Sequence, residues 1–283
     1  MNLGSWLHSA KFQLDEAGIA SPALDAQLLA GLAFCQERSA ILAHPEWLTP
    51  PGLDELLLRR LAGEPLAYIL GEREFYGRMF KVSPAVLIPR QDTETLIEAW
   101  FTLEEKLPHE AKVLDLGTGS GCIGITLKLE RPSLDVTLSD ISKPALETAT
   151  SNAADLRARV GLVESDTFQA FSNEKFDAIV TNPPYIGVHE VLDREVRDFE
   201  PKNALFSGET GLEMYDKLAD EAKAHLNTGG IFIAEVGYSQ GSKVRSIFEL
   251  NGWNLVASYP DLSGIERALA FTVPEATQLV LES

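Results

Sequence analysis

The sequence predicts an α/β protein: a doubly wound, mostly parallel sheet of seven strands with an antiparallel last strand, preceded by a small helical bundle. Three observations lead there. From about residue 91 onward, β-type runs alternate with helical stretches, and such alternation needs crossover connections between parallel strands. The last two β-type runs are joined by a link too short to cross over, which makes the final strand antiparallel. The first 75 or so residues instead show apolar residues at helical spacing, broken by glycine and proline.

The expected elements follow in order. Ser21-Pro22 reads as an N-cap with proline at the first helical position, followed by Leu24, Leu28, Leu29 and Leu32 on one stripe. Thr49-Pro50 restarts the pattern, with Leu53, Leu56, Leu57 and Leu61 along a face and Asp54 and Glu55 in the first turn, where they suit the helix dipole. Residues 1–73 are therefore expected to form a helical domain. Residues 74–90 break the style, with β-formers around Gly77 and Ser83-Pro84, and read as a β-hairpin linker. Residues 91–283 form the α/β domain, with strands expected over 112–116, 135–139, 159–164, 176–181, 230–236, 254–258 and 268–273.

Composition narrows the function classes. A chain of 283 residues fits about two domains. A formal net charge of -18 disfavours life on duplex nucleic acid, where affinity comes largely from Lys and Arg on phosphates. Two cysteines, Cys35 and Cys122, are too few for a disulfide scaffold, lack metal-site spacing, and read as buried thiols. No apolar run reaches the length of a membrane span, and the N-terminus does not read as a signal peptide, so a cytoplasmic setting is expected. The five histidines form no metal or triad pattern.

The chemistry begins at Gly117-Thr118-Gly119-Ser120-Gly121, between a strand and a helix. Glycines there let the backbone turn sharply and approach a ligand. The spacing is neither the dinucleotide fingerprint nor a Walker loop. The second strand ends at Asp140, placed to accept from two ribose hydroxyls. Past the third, Asp166 can accept from an adenine amino group, with Thr167 or Phe168 lining the ring. Helix capping by the two aspartates is the plainer alternative. Together these features describe a pocket for an adenosine without a long phosphate chain.

Asn182-Pro183-Pro184-Tyr185 follows the fourth strand directly. Two prolines stop the strand and stiffen the backbone. The Asn182 side-chain oxygen and the Pro183 carbonyl can then both accept from one NH2 group, and Tyr185 can stack on a flat group. The arrangement suits a planar nitrogen nucleophile, either an exocyclic base amine or a side-chain amide. The charged stretch after it (Glu190, Asp193, Arg194, Glu195, Arg197, Asp198, Glu200, Lys202) reads as a solvated face that walls the cleft.

The series from Gly117 through Asp140 to Tyr185 resembles the S-adenosyl-L-methionine-dependent methyltransferases that act on amino nitrogen. Further segments are similar to the glutamine N5-methyltransferases of peptide chain release factors, the HemK/PrmC family. They are Phe75-Tyr76-Gly77, Val86 to Arg90, Asp92-Thr93-Glu94, Phe199-Glu200-Pro201 with Ala204-Leu205, and Glu235-Val236-Gly237 with Gln240-Gly241. Thr167 departs from the pattern, which has an aromatic or large apolar residue there.

The resemblance implies a Rossmann-like class I methyltransferase domain with S-adenosyl-L-methionine as cofactor and no metal. Gly117 to Gly121 approach the methionine part, Asp140 holds the ribose, and Asp166 with Thr167 and Phe168 borders the adenine. Asn182 and Pro183 fix the substrate amide, with Pro184 and Tyr185 beside it; Asn182, Pro183 and Tyr185 are the catalytic set. The implied partner is a release factor gripped by the N-terminal helices, with no direct nucleic acid or membrane contact. A ribosomal-protein glutamine, or a DNA or RNA amino group, are the competing substrates.

Overall fold

The computed structural model describes residues 1–274 and divides into two compact units, Met1–Arg73 with Leu192–Phe199, and Glu74–Val191 with Glu200 onward. The last residues of the expected 91–283 span lie outside the described residues.

The first unit holds α1 (Leu3–Glu16), α2 (Pro22–Phe34), α3 (Arg38–Ala43), α4 (Leu53–Leu61) and α5 (Leu66–Leu70). Its core is Leu3, Trp6, Ala10 and Leu14 of α1 against Ala26, Leu29 and Ala30 of α2, with Ile41, Leu53, Leu57 and Ile69. The stripe expected on α2 is rotated from the observed one. Leu24 and Leu32 are exposed, and the buried face runs through Asp25, Ala26, Leu29 and Ala30. Buried Arg60 explains the rotation, because it draws Asp25 inward with a 2.7 Å bond from its Nε. Ser21 stands at the N-cap of α2 without a side-chain bond, so proline at the first position starts this helix alone. Gly52, in the left-handed region, and not Thr49, precedes α4. Cys35, expected to be buried, is exposed at the left-handed C-cap of α2.

Strands β1 (Glu72–Phe75) and β2 (Arg78–Lys81) form a hairpin. Its two-residue turn, Tyr76-Gly77, has positive φ at both positions, the twist a tight hairpin needs. Next come α6 (Glu94–Leu103), β3 (Lys112–Leu116), α7 (Cys122–Glu130), β4 (Asp135–Asp140), α8 (Lys143–Asp155), β5 (Gly161–Glu164) and β6 (Phe176–Thr181). After these, α9 (Arg194–Phe199), α10 (Lys202–Leu205), α11 (Glu213–Glu221), β7 (Leu226–Glu235), α12 (Gly241–Leu250), β8 (Asn254–Pro260) and β9 (Glu266–Thr272) complete the order.

The large sheet has seven strands in the order β5-β4-β3-β6-β7-β9-β8. All pairs through β7 are parallel, and β9 lies antiparallel between β7 and β8. Apolar clusters cover both faces, so β3, β6 and the second half of β7 are buried almost throughout. β7 begins at Leu226, ahead of the expected start, and passes through Gly229 in the left-handed region. The chain runs outward from β3 to β5, then returns to lay β6 on the other side of β3. This places a topological switch point between β3 and β6, where such sheets bind ligands. Among the described residues, no helix is long and apolar enough to cross a membrane.

Candidate active site

Register decides which loops meet. Leu116, the last residue of β3, pairs with Thr181 on β6 and Ser139 on β4, and Ser139 pairs with Val163 on β5. Four strands therefore end level, about 4.8 Å apart. At or just past these ends lie Gly117, Asn182, Asp140 and Ser165-Asp166. They line one cavity of about 370 Å³ in the second unit.

Gly117 and Gly119 have φ of +71° and +55°, and a Cβ on either would meet nothing within 4 Å. Those Cβ positions are open space, so a bound group can lie directly on the backbone. Thr118 turns inward, donating from Oγ1 to Asp115 Oδ2 at 2.6 Å, and the same oxygen accepts from Gly124 N at 2.9 Å. Burial pushes the Asp115 carboxyl up to about 6. Ser120 is buried and lines the cavity. Gly121 is not a lining residue. It sits at the N-cap of α7 with φ +85°, where a Cβ would meet Ile125 Cδ1 at 2.6 Å.

Asp140 accepts from Gly119 N at 2.9 Å and Ser142 N at 2.8 Å. Capping of α8 falls to Ser142, whose side chain accepts from Ala145 N, so Asp140 is not a helix cap. Burial raises its pKa, and the backbone N–H groups of Ser142, Gly119 and Ile141 oppose the rise. A carboxylate has about four acceptor sites, so capacity remains for a ligand. Asp166 accepts from Lys217 Nζ at 2.9 Å and Gln169 Nε2 at 3.2 Å. Thr167, left-handed at φ +45°, gives its hydroxyl to Glu221 and lines the cavity.

Asn182, Pro183 and Pro184 line the cavity from the β6 side. Asn182 Nδ2 donates to Thr93 Oγ1 at 3.2 Å. The turn is held from behind. Gln240 Nε2 donates to the Tyr185 carbonyl at 2.8 Å, and a Cβ on Gly211 would come within 2.3 Å of that same oxygen. Glu235, at the end of β7, is 1% exposed, and its Oε2 has no hydrogen-bond partner. Burial pushes its carboxyl up to about 7, opposed by the Thr93 hydroxyl and by Arg267. No cluster of His, Cys, Asp and Glu among the described residues could hold a metal.

The family model of the PrmC N-terminal domain matches residues 5–71, and that of the methyltransferase small domain matches residues 92–199. A release factor glutamine methyltransferase of Koribacter versatilis is 44% identical over 97% of this chain and 99% of its own length. The chain belongs to the release factor glutamine methyltransferase family. Another member, from Neisseria gonorrhoeae, is 48% identical over 76% of this chain and 78% of its own length. In fold, a methyltransferase from Pyrococcus furiosus superposes with a TM-score of 0.52 at 19% identity, over 77% of this chain and 98% of that one.

Besides Gly121, three expectations from the sequence are not met in place. Phe168 does not line the cavity. It is buried in the core and stacks on His225 at 4.6 Å, because Thr167 takes the left-handed turn and sends the next side chain inward. Tyr185 is not a lining residue either; its ring packs on the core and its hydroxyl lies 3.5 Å from Glu235 Oε1. The charged stretch is not wholly solvated. Glu195 bonds Arg60 Nη2 at 2.6 Å within the first unit, and buried Glu200 binds Arg90 and Ile88 N.

Residues missed in the sequence are the ones holding others. Asn152 is 1% exposed and ties Ser120 O to both backbone groups of Lys81. An asparagine on the inner face of α8, among alanines at helical spacing, was the available signal.

Proposed function

We propose that this chain transfers a methyl group from S-adenosyl-L-methionine to the side-chain amide nitrogen (N5) of a glutamine in peptide chain release factors. The observation that carries the reading is the register of Leu116 with Thr181. It sets an open glycine cradle beside an asparagine whose Nδ2 is already engaged, leaving Oδ1 free to accept.

Gly117, Gly119 and Ser120 would hold the methionine part of the cofactor. Asp140 would take the ribose hydroxyls, and Asp166 the adenine amino group beside Thr167. The cofactor supplies an electrophilic methyl group. The protein's task is the nucleophile. An amide nitrogen is weak because its lone pair is delocalised into the carbonyl. Asn182 Oδ1 and the Pro183 carbonyl accept its two N–H hydrogens, fix its plane and raise its electron density. Catalysis is then positioning plus fixed dipoles, with the amide proton lost to water. Pro184 stiffens the turn, and Tyr185 backs it.

The helical unit of residues 1–73 contributes a grip on the protein substrate, joined by the 192–199 segment that follows the Asn182 turn in sequence. The acidic chain works in the cytoplasm, without direct contact with nucleic acid or membrane. Labelled cofactor offered in parallel to a release factor, ribosomal proteins and nucleic acid tests the reading: label is expected on a release-factor glutamine. Label on ribosomal protein or nucleic acid alone would reject it.

A further inference from the structure

The cavity is electrically lopsided. Among the described residues that line it, Asp140 and Asp166 carry the negative charges and Arg90 alone carries a positive one. Their places follow the strand order β5-β4-β3-β6. Asp166 lies just past β5, Asp140 ends β4, Gly117 follows β3 and Asn182 follows β6. Arg90 stands toward the β6 end. Its carbonyl accepts from Thr93 N at 3.2 Å, and the Thr93 hydroxyl meets Asn182 Nδ2 at 3.2 Å.

Arg90 is also held in place. Glu200, with its side chain 1% exposed, accepts from Arg90 Nη2 through Oε1 and from Ile88 N through Oε2 at 3.1 Å. One buried carboxylate thus fixes both the guanidinium and the backbone that carries it. The Arg90 side chain is 36% exposed, and a guanidinium has five N–H groups, so donors remain beyond the one given to Glu200. A free surface arginine loses rotamer entropy on meeting an anion; one already tied down loses less.

The cofactor carries one anionic group, the α-carboxylate of its methionine part. With the adenine at Asp166 and the ribose at Asp140, the methionine part runs past Gly117 to Ser120 toward Asn182, where the cation stands. We propose that Arg90, fixed by Glu200, binds the α-carboxylate of S-adenosyl-L-methionine, and that the charge polarity of the cavity sets the direction in which the cofactor lies. In the reverse direction the carboxylate would meet two aspartates. The assignment rests on this cavity being the cofactor site.

The test is calorimetric Kd, on the full-length chain, for S-adenosyl-L-methionine and for its decarboxylated analogue, which keeps the adenosine, the sulfonium and the amine. Wild type should bind the analogue about ten- to a hundredfold more weakly, the scale of one charge-assisted hydrogen bond. Arg90→Met should weaken the natural cofactor by a similar factor and bind the two ligands within about threefold of each other. Arg90→Met leaves the Glu200 carboxylate buried and unpaired, so Arg90→Met/Glu200→Gln is measured beside it and should behave alike. Asp140→Ala should weaken both ligands equally and keep the wild-type ratio. Equal binding of the two ligands by wild type, an unchanged cofactor Kd in both Arg90 variants, or a wild-type ratio that persists in them overturns the role of Arg90 while leaving the cofactor site intact. Wild type that binds neither ligand overturns both readings.

Discussion

Asn182 and Asp140 face the same cavity, and on the roles proposed for them their variants should separate. Asn182→Ala removes the acceptor proposed for the nucleophile, so transfer should collapse while cofactor affinity in calorimetry stays near wild type. Asp140→Ala removes a charged acceptor of the kind worth about 1.5–3 kcal/mol, so cofactor Kd should rise about ten- to a hundredfold. Glu235 adds a pH signature in stability. Its carboxyl rises from an ordinary 4.5 to about 7 in the fold, so between those values the folded chain binds more protons than the unfolded one. Its stabilising contribution is complete below about 4.5 and is lost as pH rises through about 7. Asp115, raised from 3.8 to about 6, acts with the same sign over a lower window. Denaturant melts across that range should show a flatter pH dependence in Glu235→Gln than in wild type. At this scale the sequence was legible where chemistry needs a rare residue pattern, as at Asn182-Pro183-Pro184-Tyr185. It was not legible where backbone geometry decides. The left-handed φ of Thr167, which sends Phe168 to His225, has no signature in residue type.

At the scale of elements, the strand ends form the site because β3, β4, β5 and β6 stop level. The helix after the glycine loop must then sit very close to the sheet. A Cβ on Gly124 would meet Leu138 Cδ2 at 2.3 Å and Asp115 Cβ at 2.9 Å. Gly124→Ala should therefore cost about 1–3 kcal/mol of stability in urea melts, the range for overpacking a tight core. In the helical unit, Arg60 and Asp25 have side chains 6% exposed, and Arg60 also binds the partly exposed Glu195. Arg60→Ala strands a buried carboxylate and should cost about 3–5 kcal/mol, read as loss of helical signal at lower denaturant. The strands were visible as apolar runs, and the antiparallel end followed from a short link. The buried face of α2 departs from its leucine pattern because a leucine count cannot see that Arg60 pulls Asp25 inside.

For the whole molecule, the charge of -18 separates two uses of one motif. Asn182-Pro183-Pro184-Tyr185 suits a base amine as well as an amide, and family membership together with acidity favours a protein glutamine. The measurement that tests this most directly is mass-spectrometric mapping of methyl label on a release factor incubated with labelled S-adenosyl-L-methionine and either wild type or Asn182→Ala. A single labelled glutamine with wild type, and none with Asn182→Ala, is the predicted result. Label at another residue type, or equal labelling by Asn182→Ala, would contradict the account.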